Sequence, residues 1–425
     1  MNNAVVIGGG IAGITAALDI ANHGFHVSLI EREPTIGGHM AMLDKTFPTN
    51  DCSMCILSPK MVEVERHPNI TLYTCCEVTK IEGDAGNFTV HAIRHPRYIR
   101  EQECTGCGDC IEVCPVEVYN RFDAGIGVRK AIYKSHPQVV PNVVIRDKDH
   151  CIDCGLCYDI CGKQAVLKDN EDAEEEFFLK SGTIIVATGY DIFDARMKTP
   201  YKYLSIPDVI TSLELERLIN ASGPTGGKIK RISDGRVPEE VVFIQCVGSR
   251  DLSLGCPSCS AVCCMYAIKN AMLIKEKYPD TKVTILYMDI RAYGKGYEEY
   301  YERAQALGVR FIRGMPGDLY AKDGTVVVQV ENTETREVLK IDAELVVLSV
   351  GMRPPIDASR FAEQIGISCD DSGFFESVDV KGRPVHTIKP GIFIAGTCKE
   401  PMDIPDSVME GGAAAMQAVM SLLRE

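Results

Sequence analysis

Short apolar runs closed by glycine or polar turns recur along the chain, separated by segments whose apolar positions follow a helical period. Ala4-Val5-Val6-Ile7 is such a run and predicts a buried strand. It is followed by an Ala- and Leu-rich helix to about Asn22 and a second strand over Val27–Ile30. Thr183–Tyr190 reads as a strand ending in a small-residue turn. Gly391–Ala415 reads as a strand, a turn and a helix opening near Gly411. A second group of runs, Val241–Ile244, Val283–Met288, Val326–Val330 and Leu345–Ser349, accompanies a helix over about Ala261–Lys277. Strands that are apolar throughout, alternating with helices, predict parallel sheets covered on both faces. The pattern therefore predicts an α/β chain with two Rossmann-like units. No run approaches the roughly 18 consecutive apolar residues that span a bilayer, and no leader pattern opens the sequence.

The turn after the first strand carries chemistry. Gly8-x-Gly10-x-x-Gly13 sits between strand and helix, and Glu31 ends the next strand. Gly8 suits the tight turn, Gly10 lets backbone approach a pyrophosphate, and Gly13 permits close helix–strand packing. The helix N-terminus then faces the phosphates. Glu31 can accept both ribose hydroxyls, which favours FAD or NAD over a 2′-phosphorylated cofactor. Gly37-Gly38 adds a second glycine pair, and Thr188-Gly189 and Gly396-Thr397 are expected to complete a flavin site. Two-dinucleotide flavoproteins usually have an aspartate where Thr397 stands. The second unit offers no comparable cradle, since its turn is Cys246-Val247-Gly248-Ser249-Arg250.

Composition sharpens this picture through cysteine. The 425 residues include 19 cysteines, an odd number in a chain with no leader, so metal or cluster ligation is the better expectation than a disulfide framework. A cytoplasmic chain from an anaerobe follows. The net charge of -14 leaves no basic footprint for nucleic acid. Cys104-x2-Cys107-x2-Cys110-x3-Cys114-Pro115 and Cys151-x2-Cys154-x2-Cys157-x3-Cys161 both match the bacterial run for [4Fe–4S] clusters. The fourth cysteine of each run ligates the other cluster. Cys161 is thus grouped with Cys104, Cys107 and Cys110, and Cys114 with Cys151, Cys154 and Cys157. Structural zinc does not use this spacing twice. The acidic stretch Asp169–Phe178 reads as a solvated turn. Cys246, Cys259, Cys263 and Cys264 form a third group, the last two at a helix start that favours thiolates. A non-contiguous cubane, zinc or a redox disulfide all suit them, with Cys256 as the spare.

These residues resemble the A subunit of heterodisulfide reductase. The resemblance rests on GGGIAG, FPTNDCSMCILSPKMVEV, the ferredoxin insert, PTGGKI, CVGSRD, CSAVCCMYAIKNA and GTCKEPMDIPDSV, and covers almost the whole chain. It implies a thioredoxin-reductase-like flavoprotein of two Rossmann domains, carrying FAD and an inserted α+β ferredoxin domain with two [4Fe–4S] clusters. It also implies a third [4Fe–4S] cluster on Cys246, Cys259, Cys263 and Cys264. Lys269 matches a lysine near flavin N5, although by itself it reads as a solvated helix residue. The segments expected are 1–97, 169–236 and 351–425 for the FAD domain, 98–168 for the ferredoxin insert, and 237–350 for the NAD-like domain.

Larger family members add an N-terminal domain and a C-terminal ferredoxin domain, so a short form is expected. Its layout is also similar to the A subunit of the quinone-interacting membrane-bound oxidoreductase. The implied partners are disulfide-reducing or quinone-interacting subunits, an electron-input subunit, ferredoxin and a second copy of the chain. The implied activity is transfer of flavin electrons into clusters, extending to bifurcation; a stand-alone NAD(P)H disulfide reductase is the rival. Cys52-x2-Cys55 stays open between a cluster shared with a partner, a redox disulfide and idle thiols. Cys75, Cys76, Cys369 and Cys398 read as buried core thiols.

Overall fold

A computed structural model describes residues 2–424. Two five-stranded parallel sheets organise it. The first runs in the order Ile392–Ile394, Thr183–Val186, Asn3–Ile7, His26–Ile30, Ile70–Tyr73. The second runs Val209–Thr211, Leu345–Val350, Glu240–Val247, Lys282–Tyr287, Arg310–Arg313. The inner strands are buried on both faces, which is why they read as unbroken apolar runs rather than alternating ones. Met352–Arg353 pairs with Asp191–Ile192 and ties the two halves together beside the cleft described below.

Four elements differ from the expectation. Val326–Val330 lies not in the second parallel sheet but in the middle of an antiparallel one, within Thr325–Asn332. Its apolar run is equally suited to either, because sheet and connection bury both faces. The parallel sheet is completed instead by Arg310–Arg313 and by Val209–Thr211, the latter from the segment assigned to the FAD domain. Both are too short, or too charged at their ends, to show a period. The last helix opens at Ile404, not near Gly411. Asp403 caps it, accepting the Asp406 N–H at 2.9 Å, and Pro405 occupies the first turn. Gly411 serves another end: a Cβ there would lie 2.5 Å from the Ala12 carbonyl, so it permits the close crossing with helix Ile11–Asn22.

The acidic stretch is also more structured than a solvated turn. Glu175–Ser181 is a strand, and the Asp172 carboxylate accepts the backbone N–H groups of Arg97 and Tyr98 at 3.0 and 2.8 Å. An antiparallel bridge from Ile99 to Val166 closes the two ends of the insert. Inside lies a small core of Ile99, Ile132, Val143, Val144, Ala165 and Val166 around Cys110 and Cys157.

The insert is anchored to the body by one buried ion pair. Arg217 donates to Asp123 at 2.9 Å and to the Met42 carbonyl at 3.0 Å, with its guanidinium over the Phe122 ring. Replacing Arg217 with Leu strands the buried Asp123 carboxylate. Such removals cost about 3–5 kcal/mol, and the loss should appear as a lowered denaturation midpoint. A midpoint within experimental error of the parent would show that the pair does not anchor the insert.

Candidate flavin and cluster site

A cleft of about 1140 Å³ runs between the two parallel-sheet units and along one side of the insert. Its first end is built by the glycine turn. Gly8 has φ +105°, and a Cβ there would meet the Ala187 carbonyl at 2.2 Å; at Gly13 it would meet the Gly8 carbonyl at 1.9 Å. Both glycines are required by packing. Gly10 is different, because a Cβ there meets nothing within 4 Å and would project into open space. Gly38 comes close behind, its Cβ position 3.2 Å from the Gly10 Cα. Strand, open turn and helix N-terminus are the parts a pyrophosphate requires, and the residues present fit a dinucleotide.

Glu31 also lines this end. Its carboxylate accepts the Gly9 N–H at 2.7 Å and the Glu33 N–H at 2.8 Å. Burial raises its pKa while these hydrogen bonds oppose the rise. The carboxylate is therefore held in place, with lone pairs left for ribose hydroxyls. Thr188, Gly189 and Thr397 line the cleft further along. Gly396 does not: its φ is +75°, a Cβ would strike Ala12 at 2.7 Å, and its N–H donates to Glu410 at 3.0 Å. It is a packing glycine.

At the other end, Lys269 is not solvated. It is 1% exposed, donates to the Lys45 carbonyl at 2.9 Å and pairs with the Glu216 carboxylate. Glu216 in turn accepts the Asp44 N–H at 3.0 Å. Sequence reasoning missed Glu216. Its one signal is its place in helix Ser212–Ile219, started by a capping box between Thr211 and Glu214, where the acidic residue sits on a buried face. Tyr190 stacks on His39 with ring centroids 4.3 Å apart, and both line the cleft. Burial lowers the His39 pKa to about 4, so its imidazole is neutral.

Two groups of cysteines lie outside the cleft lining, in the insert and in the second unit. In the insert, Gly108 and Gly155 both adopt left-handed conformations before helices Asp109–Glu112 and Leu156–Ile160, so the two motifs repeat one local geometry. Burial pushes the Cys110 thiol up to about 12, and Cys104, Cys107, Cys157 and Cys161 add to the rise. Two cysteines of the second motif thus lie near the first, Cys161 among them. Cys151 and Cys154 act in the same way on Cys157, while Cys114 packs beside that small core. The Arg146 guanidinium is 3.5 Å from Cys151 Sγ.

In the second unit, Cys263 and Cys264 are the first two residues of helix Cys263–Lys277. Each feels the charge of Cys246 and Cys259, and Cys246 that of Cys259, so the four thiols share one neighbourhood. Cys246 reaches the group through a left-handed backbone at φ 58°. Cys256 turns away, with its thiol 3.2 Å from the Leu254 carbonyl. Among the described residues no three His, Cys, Asp or Glu side chains close round a point as single-ion ligands would. A cubane asks for a wider ring, because each thiolate bonds a different iron.

Cys52 and Cys55 are disulfide-bonded at the start of helix Ser53–Arg66, both exposed, and neither lines the cleft. Of the remaining thiols, Cys75, Cys76 and Cys398 are buried, whereas Cys369 is half-buried.

The chain matches three family models: a 4Fe-4S dicluster domain over residues 103–166, an NAD(P)-binding Rossmann-like domain over 6–54, and a pyridine nucleotide-disulphide oxidoreductase over 259–418. Among solved structures it is similar to thioredoxin reductases from T. acidophilum (TM-score 0.55, 14% identity) and Lactococcus lactis (TM-score 0.54, 18% identity), each covering 100% of both chains. At those identities the likeness shows the fold.

Among curated proteins, it is 51% identical to the A subunit of the H(2):CoB-CoM heterodisulfide,ferredoxin reductase of Methanothermobacter marburgensis, over 100% of this chain and 64% of that one. It is 53% identical to the iron-sulfur A subunit of the CoB--CoM heterodisulfide reductase of Methanocaldococcus jannaschii, over 97% and 63%. It is 50% identical to the A subunit of the ferredoxin:CoB-CoM heterodisulfide reductase of Methanosarcina mazei, over 99% and 53%. The chain spans between about half and two thirds of these relatives' lengths. With half of its residues shared along its whole length, and with a thioredoxin-reductase-like α/β fold that carries a dicluster ferredoxin insert, the chain belongs to the heterodisulfide reductase A-subunit family.

Proposed function

We propose that this chain is the flavin-bearing electron-transfer component of a heterodisulfide-reductase-type complex. FAD supplies a group that exchanges electrons in pairs or singly, and [4Fe–4S] clusters supply single-electron carriers. The observation that carries the reading is the helix Cys263–Lys277. Its first two residues belong to the four-cysteine group, while Tyr266 and Lys269 further along line the cleft. Cys263 to Lys269 spans about 9 Å of helix, so a ring at this end of the cleft and a cluster at the helix start would be near neighbours. The dicluster insert lies against the same cleft through Asn120, Phe122, Tyr133 and His136 and would carry electrons onward. The partners this arrangement would serve are disulfide-reducing subunits, ferredoxin and an electron-input subunit, with bifurcation between the two branches.

A nicotinamide-dependent reductase working alone fits less well. The turn after Glu240–Val247 would have to cradle a pyrophosphate, yet the space over Gly248 is filled by the Phe193 ring, 1.9 Å from a Cβ built there. Anaerobic titration tests the choice. Reduction of the isolated chain by ferredoxin, and not by NADH or NADPH, is expected. Rapid flavin bleaching by either nucleotide would overturn the proposal.

Lys269 and Glu216 give this reading a local test. A buried ammonium beside an anionic ring stabilises its reduced forms, whereas the Glu216 carboxylate limits how much of that charge the ring feels. Removing both charges avoids stranding one of them. The Lys269→Met, Glu216→Gln double variant should retain FAD and iron but change the spacing of the two one-electron flavin potentials. The two single variants should move those potentials in opposite directions. Potentials unchanged in all three would leave the pair a packing feature.

A further inference from the structure

Between the flavin end of the cleft and the four-cysteine group stands Tyr266. It lies three residues beyond Cys263 and so projects from the same side of the helix, and it lines the cleft as Lys269 does. Its hydroxyl donates to the Val350 carbonyl at 2.8 Å and accepts from the Ser212 hydroxyl at 3.3 Å. The Cys263 thiol approaches that same Val350 carbonyl at 3.8 Å. Phenol and sulfur therefore converge on one acceptor, which makes the Tyr266 hydroxyl and Cys263 Sγ neighbours. Ser212 lines the cleft and is the first residue of the helix that carries Glu216. A polar chain, Ser212 to Tyr266 to Cys263, thus crosses from the cleft wall to the cysteine group.

Resting on the proposed cluster at Cys246, Cys259, Cys263 and Cys264, we infer that Tyr266 is a positioning residue that sets this cluster's reduction potential. A ligating Cys263 has no proton to offer Val350. It becomes an acceptor, and the neighbouring Tyr266 hydroxyl, whose one proton goes to the Val350 carbonyl in this structure, is the donor that can turn to it. A hydrogen bond to a cluster sulfur stabilises the more negative, reduced state and raises the potential. Ser212 keeps the phenol oxygen in position by donating to it. The flavin would then face a cluster tuned to accept its electron, through the ring that separates them.

The test is a Tyr266→Phe variant of the full chain, reconstituted anaerobically and titrated with EPR detection. It should keep wild-type flavin, iron and sulfide. One cluster should become about tenfold harder to reduce, a fall of ~59 mV for one electron, while the two insert clusters stay unmoved. Ser212→Ala should shift the same cluster in the same direction by less. An unmoved potential in Tyr266→Phe overturns the inference. If that variant loses iron, Ser212→Ala decides, and an unmoved potential there overturns it as well. A wild-type chain with only about eight iron would instead remove the cluster reading beneath it, a result that iron analysis distinguishes at once.

Discussion

Gly10→Glu is expected to give a protein that has lost its flavin and kept its iron. The position faces open space in the cleft, with no atom within 4 Å of a Cβ built there. A side chain can therefore enter without disturbing the fold. Gly10 is also the residue that caps helix Ile11–Asn22, where a carboxylate is favourable to the helix itself. The charge is harmful only to a ligand. A pyrophosphate directed at the same helix N-terminus would meet a carboxylate in its place, and FAD affinity should fall by at least about a hundredfold.

Gly13→Ala is the control. Its methyl group would lie 1.9 Å from the Gly8 carbonyl, so it should lower stability and deplete flavin through the fold rather than through the ligand. Acid-released flavin, iron content and a melting curve on each variant read the three effects separately. Stoichiometric FAD in Gly10→Glu would move the cofactor out of this turn.

Cys259→Ala carries the second large effect. Anaerobically prepared wild type should contain about twelve iron and twelve sulfide from three cubanes. The variant should lose about four of each while both insert clusters survive. Cys259, like Cys246, is a half-buried member of a group whose Cys263 and Cys264 lie in the interior, so its loss opens one corner of the ring without cutting a core contact. Cys256→Ala is the matching control. Cys256 is buried but bonds the Leu254 carbonyl and not the group, and its replacement should leave iron unchanged. About eight iron in the wild type, with zinc in place of the third cluster, would refute the assignment of these four thiols.

What could be read in advance follows from how local each constraint is. The glycine turn, Glu31 and both ferredoxin motifs are legible because a tight turn and a cluster loop need particular residues at short, fixed spacings. Four strands of the first sheet are legible because burial on both faces leaves an apolar run, whereas the edge strand Ile70–Tyr73, only partly buried, went unread. Val326–Val330 shows the limit of that signal: the same run serves a parallel or an antiparallel sheet, and only its neighbours decide. Gly411 shows another limit. A glycine inside a helix reads as a helix start until the opposing helix, pressed against it through Ala12, supplies the reason for its absent side chain.

The sequence by itself determined the chemistry present: closely spaced thiols, a glycine turn between strand and helix, an acid at the end of the next strand and an α/β scaffold to hold them. These depend on contacts between residues close in the chain. The tertiary structure decided which of those groups meet. Lys269 is a buried ion-pair partner and not a solvated lysine because Glu216, 53 residues away, lies opposite it in the fold. The insert closes one side of the cleft because Asp123 finds Arg217. Tyr266 stands between cleft and cysteines because Val350, from a distant strand, supplies the carbonyl on which its hydroxyl and Cys263 converge. Pairings across such distances leave no period or spacing in a single sequence. They arise only when packing removes water and makes each buried polar group find a partner.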